Sequence, residues 1–149
     1  MNAIEYLEQV KLADARVDAK RAEERELWTL ATGMTQGYDG MPRGSGATNK
    51  VEDIVAKIVK AQERTNAQID RYIDIRDDVI RHIEMLPLKQ YQILHWLYVR
   101  KKDWPQKGYY TWSEVAEGLN CTEQNISNIR RRAIKNLQKI LDAERVMVD

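Results

Sequence analysis

The sequence predicts an all-α chain: a long N-terminal helical hairpin followed by a C-terminal helix-turn-helix domain. Three observations carry that expectation. The prolines and glycines are gathered into a few places, so long stretches are free of helix breakers. Apolar residues recur at intervals of three and four along most of the chain. Finally, Thr111-x-x-Glu114 and Thr122 place two helix starts eleven residues apart around a short turn. The expected organisation is residues 1–85 as the hairpin, able to serve as a dimerisation element, and 86–149 as the helix-turn-helix domain.

The first helix is expected over 3–31, where Ala3, Tyr6, Val10, Ala13, Val17, Leu27 and Ala31 recur with a spacing near 3.5. Lys20 and Glu24 interrupt this track, so the helix needs a partner to be stable. Residues 32–48 hold five of the seven glycines and one of the three prolines, and composition predicts a loop there. That loop has no Gly-x-x-x-x-Gly-Lys-[Ser/Thr] pattern to cradle a phosphate. A second helix is expected from Thr48 or Asn49 to about Met85, with Glu52 and Asp53 at its positive end. Val51, Ile54, Val55, Ile58, Ile69, Tyr72, Ile73, Val79, Ile80 and Ile83 give it an apolar face. An antiparallel return onto the first helix buries that face most simply, and the same pairing between two chains gives a homodimer. Leu86-Pro87 ends the second helix. A third, over about 87–102, turns Leu88, Tyr91, Leu94, Leu97 and Tyr98 inward, and Asp103–Gly108 reads as a loop.

The C-terminal third carries the chemistry. Thr111-Trp112-Ser113-Glu114 reads as a capping box. Val115, Ala116 and Leu119 follow as a short apolar face, and Asn120 suits the left-handed end of a helix. Thr122 caps the next helix, expected over about 123–141, with Ile126, Ile129, Ala133, Leu137, Ile140 and Leu141 inward. Its other side shows Gln124, Asn125, Ser127, Asn128, Arg131, Arg132 and Lys135. A short helix, a tight turn and a helix with a polar, basic face are the parts of a reader of double-stranded DNA. Gln124 and Asn128 suit the edge of adenine. Arg130, Arg131, Arg132, Lys135 and Lys139 suit phosphates, although three consecutive arginines cannot share one face and Arg130 is the one expected to pair with an acid instead.

Charge agrees with this division. The chain is nearly neutral at +1, but residues 86–141 hold 10 Lys/Arg against 4 Asp/Glu, whereas residues 1–85 hold 13 against 16. A basic segment of this kind is the electrostatic footprint of nucleic-acid binding. A single cysteine, Cys121, and two histidines, His82 and His95, give neither a disulfide framework nor a zinc spacing. No metal site, cofactor, nucleophile motif or catalytic activity is expected. With no stretch of 18 apolar residues and no signal-peptide pattern, a cytoplasmic protein without a membrane partner is expected. Asp74, Asp77 and Asp78 read as a solvated helix face, and the aromatics Trp104, Tyr109, Tyr110 and Trp112 as cover for the helix-turn-helix core or as anchors for a partner.

Leu86-Pro, Tyr91-x-Ile-Leu-x-x-x-Tyr98, Thr111-x-x-Glu114-Val-Ala-x-x-Leu119-x-x-Thr122, Ile126-x-x-Ile129 and Arg132-Ala-Ile-Lys135-x-Leu137 together resemble region 4 of bacterial sigma-70 factors over residues 86–141. That resemblance implies promoter −35 recognition and contact with RNA polymerase. Carried over by position, it puts Glu123, Gln124, Ser127 and Asn128 toward the major groove and Thr111 and Arg131 near phosphates. The stretch between Tyr98 and Thr111 is longer than the sigma pattern, and no counterpart of the −10-binding region is present, so a complete promoter-melting sigma factor is not expected. The Asn2-Ala-x-x-Tyr6-Leu start, the Gly40-Met-Pro-x-Gly-Ser-Gly segment and Val51-x-Asp-x-Val-Ala-Lys-Ile resemble ArpU- and RinA-like regulators of phages and prophages. These imply an activator of late phage genes. Two rival expectations stand beside it: a small terminase-like DNA-packaging protein, and a protein-interaction module that binds RNA polymerase.

Overall fold

The computed structural model describes residues 1–36 and 45–148, with side chains described for 1–33 and 50–147. The chain is all-α, and the described residues form five α-helices: α1 Ala3–Gln36, α2 Ser45–Ile83, α3 Leu88–Leu94, α4 Trp112–Gly118 and α5 Glu123–Val148. The helices run further than the sequence pattern indicates. Residues 32–36 and 45–48, expected in a loop, are helical, and the remainder of that loop, 37–44, lies outside the described residues. The cause lies in the length of the helices: once a helix is long, adding a Gly- or Thr-containing turn costs less than nucleating a new one. For the same reason α5 continues seven residues past Leu141.

Contacts divide the chain into two compact units. One comprises Ala13–Tyr72, with the C-terminal part of α1 and the N-terminal part of α2. Its buried seam is built from small and branched residues, Ala13, Val17, Ile58, Ala61 and Thr65. The Thr65 hydroxyl, with one proton to donate, lies 3.0 Å from the Ala61 carbonyl and 3.2 Å from Glu24 Oε2, both acceptors. The Glu24 carboxylate that breaks the apolar track of α1 thus faces Thr65 of α2, as the antiparallel pairing of the two helices requires. Trp28, Leu30, Val51, Val55 and Val59 stay about half exposed on this unit.

The other unit joins Met1–Leu12 to Ile73–Asp149. Its core is Leu7, Val10, Val79, Ile83, Leu94, Val99, Val115, Ile126, Ala133 and Leu137, all essentially inaccessible to solvent. Side chains of this size, when wholly buried, each contribute about 1.5–3 kcal/mol. The α3 and α4 helices pack against α5. Pro87 begins the third helix where its missing N–H is harmless. That helix does not run evenly to 102 as expected: it widens into a π turn over His95–Val99, closed by the Arg100 amide donating to the His95 carbonyl at 2.8 Å. Three consecutive residues of this turn, Leu97, Tyr98 and Val99, are buried.

Tyr6, Asp78, His82 and Glu144 tie α1, α2 and α5 together inside this unit. His82 is 2% exposed, with Nδ1 at 2.7 Å from the Tyr6 hydroxyl and 2.8 Å from the Asp78 carbonyl, and Nε2 at 2.6 Å from Glu144. The Tyr6 hydroxyl donates to Asp78 Oδ2 at 2.5 Å, and Arg81 bridges Asp78 and Glu144 at 3.0 and 3.4 Å. Burial opposes charge on Asp78, but the Tyr6 and Arg81 hydrogen bonds and the nearby imidazole outweigh it and hold its pKa below the usual carboxylate range. The hydrogen bond from His82 does the same for Glu144. Burial and Asp78 together push the Tyr6 phenol upward. Asp78, expected as part of a solvated face, is thus a structural acceptor.

Candidate nucleic-acid interface

The turn between α4 and α5 forms as its residues require. At Thr111 the side chain accepts from the Glu114 amide at 3.2 Å while Glu114 Oε1 accepts from the Thr111 amide at 3.0 Å, completing the capping box. Lys102 meets the same carboxylate at 2.7 Å. The Lys102 hydrogen bond first, then the Thr111 amide, lower the Glu114 pKa to about 2. Asn120 takes the left-handed conformation at φ 54°, and the Cys121 amide donates to the Ala116 carbonyl at 2.9 Å. Thr122 then caps α5, accepting from the Asn125 amide at 3.1 Å, with Glu123 exposed in the first turn.

Removing the Thr111 hydroxyl isolates the first of these caps. Thr111→Ala is expected to lower stability by about 0.5–2 kcal/mol, read as a fall in thermal midpoint, while Thr111→Ser leaves it nearly unchanged. Equal midpoints for Thr111→Ala and wild type would show that the box contributes nothing.

Gly118 sets how closely the turn approaches its neighbour. A Cβ at this position would lie 2.8 Å from the Trp96 indole, so any larger residue pushes α4 off that ring. The sequence pattern gave no sign of this contact, because nothing in it marks Trp96 as the neighbour.

On α5 the inward residues Ile126, Ala133 and Leu137 are fully buried. Gln124, Arg131 and Lys135 are exposed and Asn128 half-exposed. Their spacing places all four within an arc of about 60° on the outward side. The Gln124 amide donates to Asn128 Oδ1 at 3.4 Å, which links the two amides along the ridge. Arg132 and Asn125 flank one side of this ridge, both exposed, and Ser127 flanks the other, half-buried. Asn125 also lines a shallow pocket of about 230 Å³ with Lys89, Gln92, Cys121 and Ile129. Thr111 and Thr122 sit at helix caps rather than on the ridge.

Arg130 is a different case from its two neighbours. Its Nε and Nη2 donate to the Tyr98 hydroxyl at 2.9 and 2.6 Å, and its guanidinium lies 5.4 Å from the Trp112 ring centre. It was expected to find an acid; instead an aromatic pair holds it. The signal was the 100° offset from Arg131, which turns it toward the core side. Among the described residues no group of three His, Cys, Asp or Glu could hold a metal ion, and no helix is long and apolar enough to cross a membrane.

The elements around α4 and α5 define a helix-turn-helix whose second helix presents a continuous polar and basic ridge. Compared with curated proteins, the chain is 30% identical over 88 residues to the RNA polymerase sigma factor SigO of Bacillus subtilis (strain 168). The match covers 57% of this chain and 49% of that protein, so the chain spans about half the length of the curated relative it matches. No family model matches the sequence, and no solved structure matches it.

Proposed function

We infer that the protein is a sequence-specific DNA-binding regulator of transcription that acts at a promoter. The observation that carries this reading is the ridge Gln124–Asn128–Arg131–Lys135, exposed on one face of a helix whose start is fixed by the Asn120 turn and the Thr122 cap. Amide side chains suit base edges, and cations three and seven residues further along suit the flanking phosphates. Similarity to a sigma factor supports a role in transcription and contact with RNA polymerase. The likeness of the chain's motifs to phage and prophage regulators supports activation of late phage genes as the particular task.

The reading elements then lie in 86–149, packed in one compact unit with Met1–Leu12 and the end of α2, and the hairpin of 1–85 pairs two copies through its Ala13–Tyr72 part. Val51, Val55 and Val59, spaced by four and about half exposed, support that pairing. Two recognition helices favour a repeated or palindromic site.

The test is a salt titration of binding to a duplex enriched by the full-length protein from a randomised pool, beside a scrambled duplex of the same composition. The selected duplex is expected to bind about a thousandfold or more tightly at physiological salt. Each phosphate neutralised adds about 0.9 to the slope of log affinity against log salt. Equal, weak binding to both duplexes would remove the reading.

A further inference from the structure

Between the third helix and α4 the chain forms a small hairpin, Arg100–Tyr110, where the sigma pattern has a shorter connection. Lys101 and Tyr109 pair across an antiparallel bridge, and the Lys102 amide donates to the Gly108 carbonyl at 2.8 Å. Gly108 permits the return with φ +91°, a conformation that side chains resist. The Gln106 amide closes the tip on the Asp103 carbonyl at 3.0 Å. The Trp104–Pro105 peptide at this tip is cis.

The base of the hairpin is locked. Arg100 lies 3.9 Å from the centre of the Trp96 ring, and Tyr110 packs on the same indole at 4.9 Å. Lys102 is held by Glu114, and Lys11 sits 4.9 Å above the Tyr109 ring. A two-stranded hairpin is marginal alone; this one is braced by α1, the π turn and α4 together. Its direction relative to the helix-turn-helix is therefore set before any ligand arrives.

The tip is the opposite. Trp104 is 87% exposed, more than any other tryptophan of the chain. An indole left in water adds nothing to the core, and its large rigid face is suited to a partner. Charge indicates that partner's chemistry: Arg100 and Lys102 are spent at the base, and the exposed charges of the hairpin are Lys101 and Lys107 against Asp103. Lys107, beside the tip, is exposed. The excess of exposed cations over the single acid at this end of the hairpin favours a polyanion. The hairpin also runs directly into Trp112, whose ring contacts Arg130 of α5, one residue from the ridge cation Arg131. Hairpin and ridge are thus parts of one braced body.

We propose that this hairpin is a second contact to duplex DNA, gripping the segment beside the one read by α5, with Lys107 on a phosphate and the Trp104 indole against the sugars or base edges of the adjoining minor groove. The inference rests on the DNA-binding reading above and adds a contact that the ridge does not supply.

The experiment compares full-length wild type, Trp104→Ala/Lys107→Ala and Asn128→Ala/Arg131→Ala. It uses hydroxyl-radical footprinting and salt titration on the pool-selected duplex and its scrambled control. Both hairpin substitutions are at exposed positions, so the circular dichroism melt is expected to stay unchanged. Affinity of the hairpin variant is expected to fall about tenfold on both duplexes alike, with the salt slope smaller by about 0.9. Protection is expected to vanish on one flank only, and Trp104→Tyr to restore most of it. A hairpin variant with wild-type affinity, slope and footprint overturns the proposal while wild-type discrimination leaves the ridge reading standing. Failure of the wild type itself to discriminate overturns both.

Discussion

An Asn128→Ala/Arg131→Ala chain is expected to bind the selected duplex about a hundredfold more weakly than wild type and to lose most of its preference over scrambled DNA. The two residues act on different terms. Asn128, linked to Gln124 along the ridge, stands where a paired amide can meet adenine, and one such contact is worth about 1–3 kcal/mol of discrimination. Arg131, exposed one turn further along, is proposed to contact a phosphate, which would add affinity without choice of sequence. Asn128→Ala alone should therefore flatten the preference at one base pair and leave the salt slope intact. Arg131→Ala alone should lower both duplexes equally and reduce the slope by about one. Measured by fluorescence anisotropy, the opposite pattern would move the base contact elsewhere, and no change in either would dismiss the ridge.

His82→Ala is expected to destabilise the protein by about 2–4 kcal/mol, from the lost volume in a closed site and the loss of buried hydrogen bonds. At this chain length that is roughly 2–4 °C in thermal midpoint for each kcal/mol. Tyr6→Phe, which removes only the hydroxyl, should cost about 1 kcal/mol. A pH series separates the hydrogen-bond share from simple packing. Asp78 and Glu144 both have depressed pKa values in the folded chain, so their contribution is present above the ordinary carboxylate range and lost as pH falls through their folded values. Wild type should thus lose stability below about pH 4. His82 is the main cause of the Glu144 shift, so the alanine variant should lose less over the same range. Parallel pH profiles for the two proteins would reduce His82 to a space-filling residue.

The readable parts of the sequence were those governed by local rules. The capping box at Thr111, the left-handed turn at Asn120 and the inward set Ile126, Ala133 and Leu137 each follow from chemistry within a few residues, and each stands in the structure. The hidden parts depend on partners far along the chain. Arg130 shows only an arginine in a basic run until Tyr98, 32 residues earlier, and Trp112 close around it. His82 reads as helix packing until Tyr6 and Glu144 arrive from opposite ends. The π turn over His95–Val99 has no composition signal, and its residues read as a plain continuation of α3. Charge patterning misled at Asp78, where hydrogen-bond geometry rather than exposure decides the role.

The unit that holds the ridge is assembled from both ends of the sequence, and this shapes how the chain is made. Leu7 and Val10 are wholly buried, yet the Ala3 amide is bound by Gln138, 135 residues away. During synthesis in the N-to-C direction, these residues must wait until α5 has emerged before they find their places. Contacts of such separation slow folding. The middle segment, with its local hairpin register, can form first and hold the two ends near one another. A ribosome-stalled chain ending before α5 should therefore carry the hairpin but leave the first turns of α1 open to protease, so the unit with the ridge matures after the hairpin.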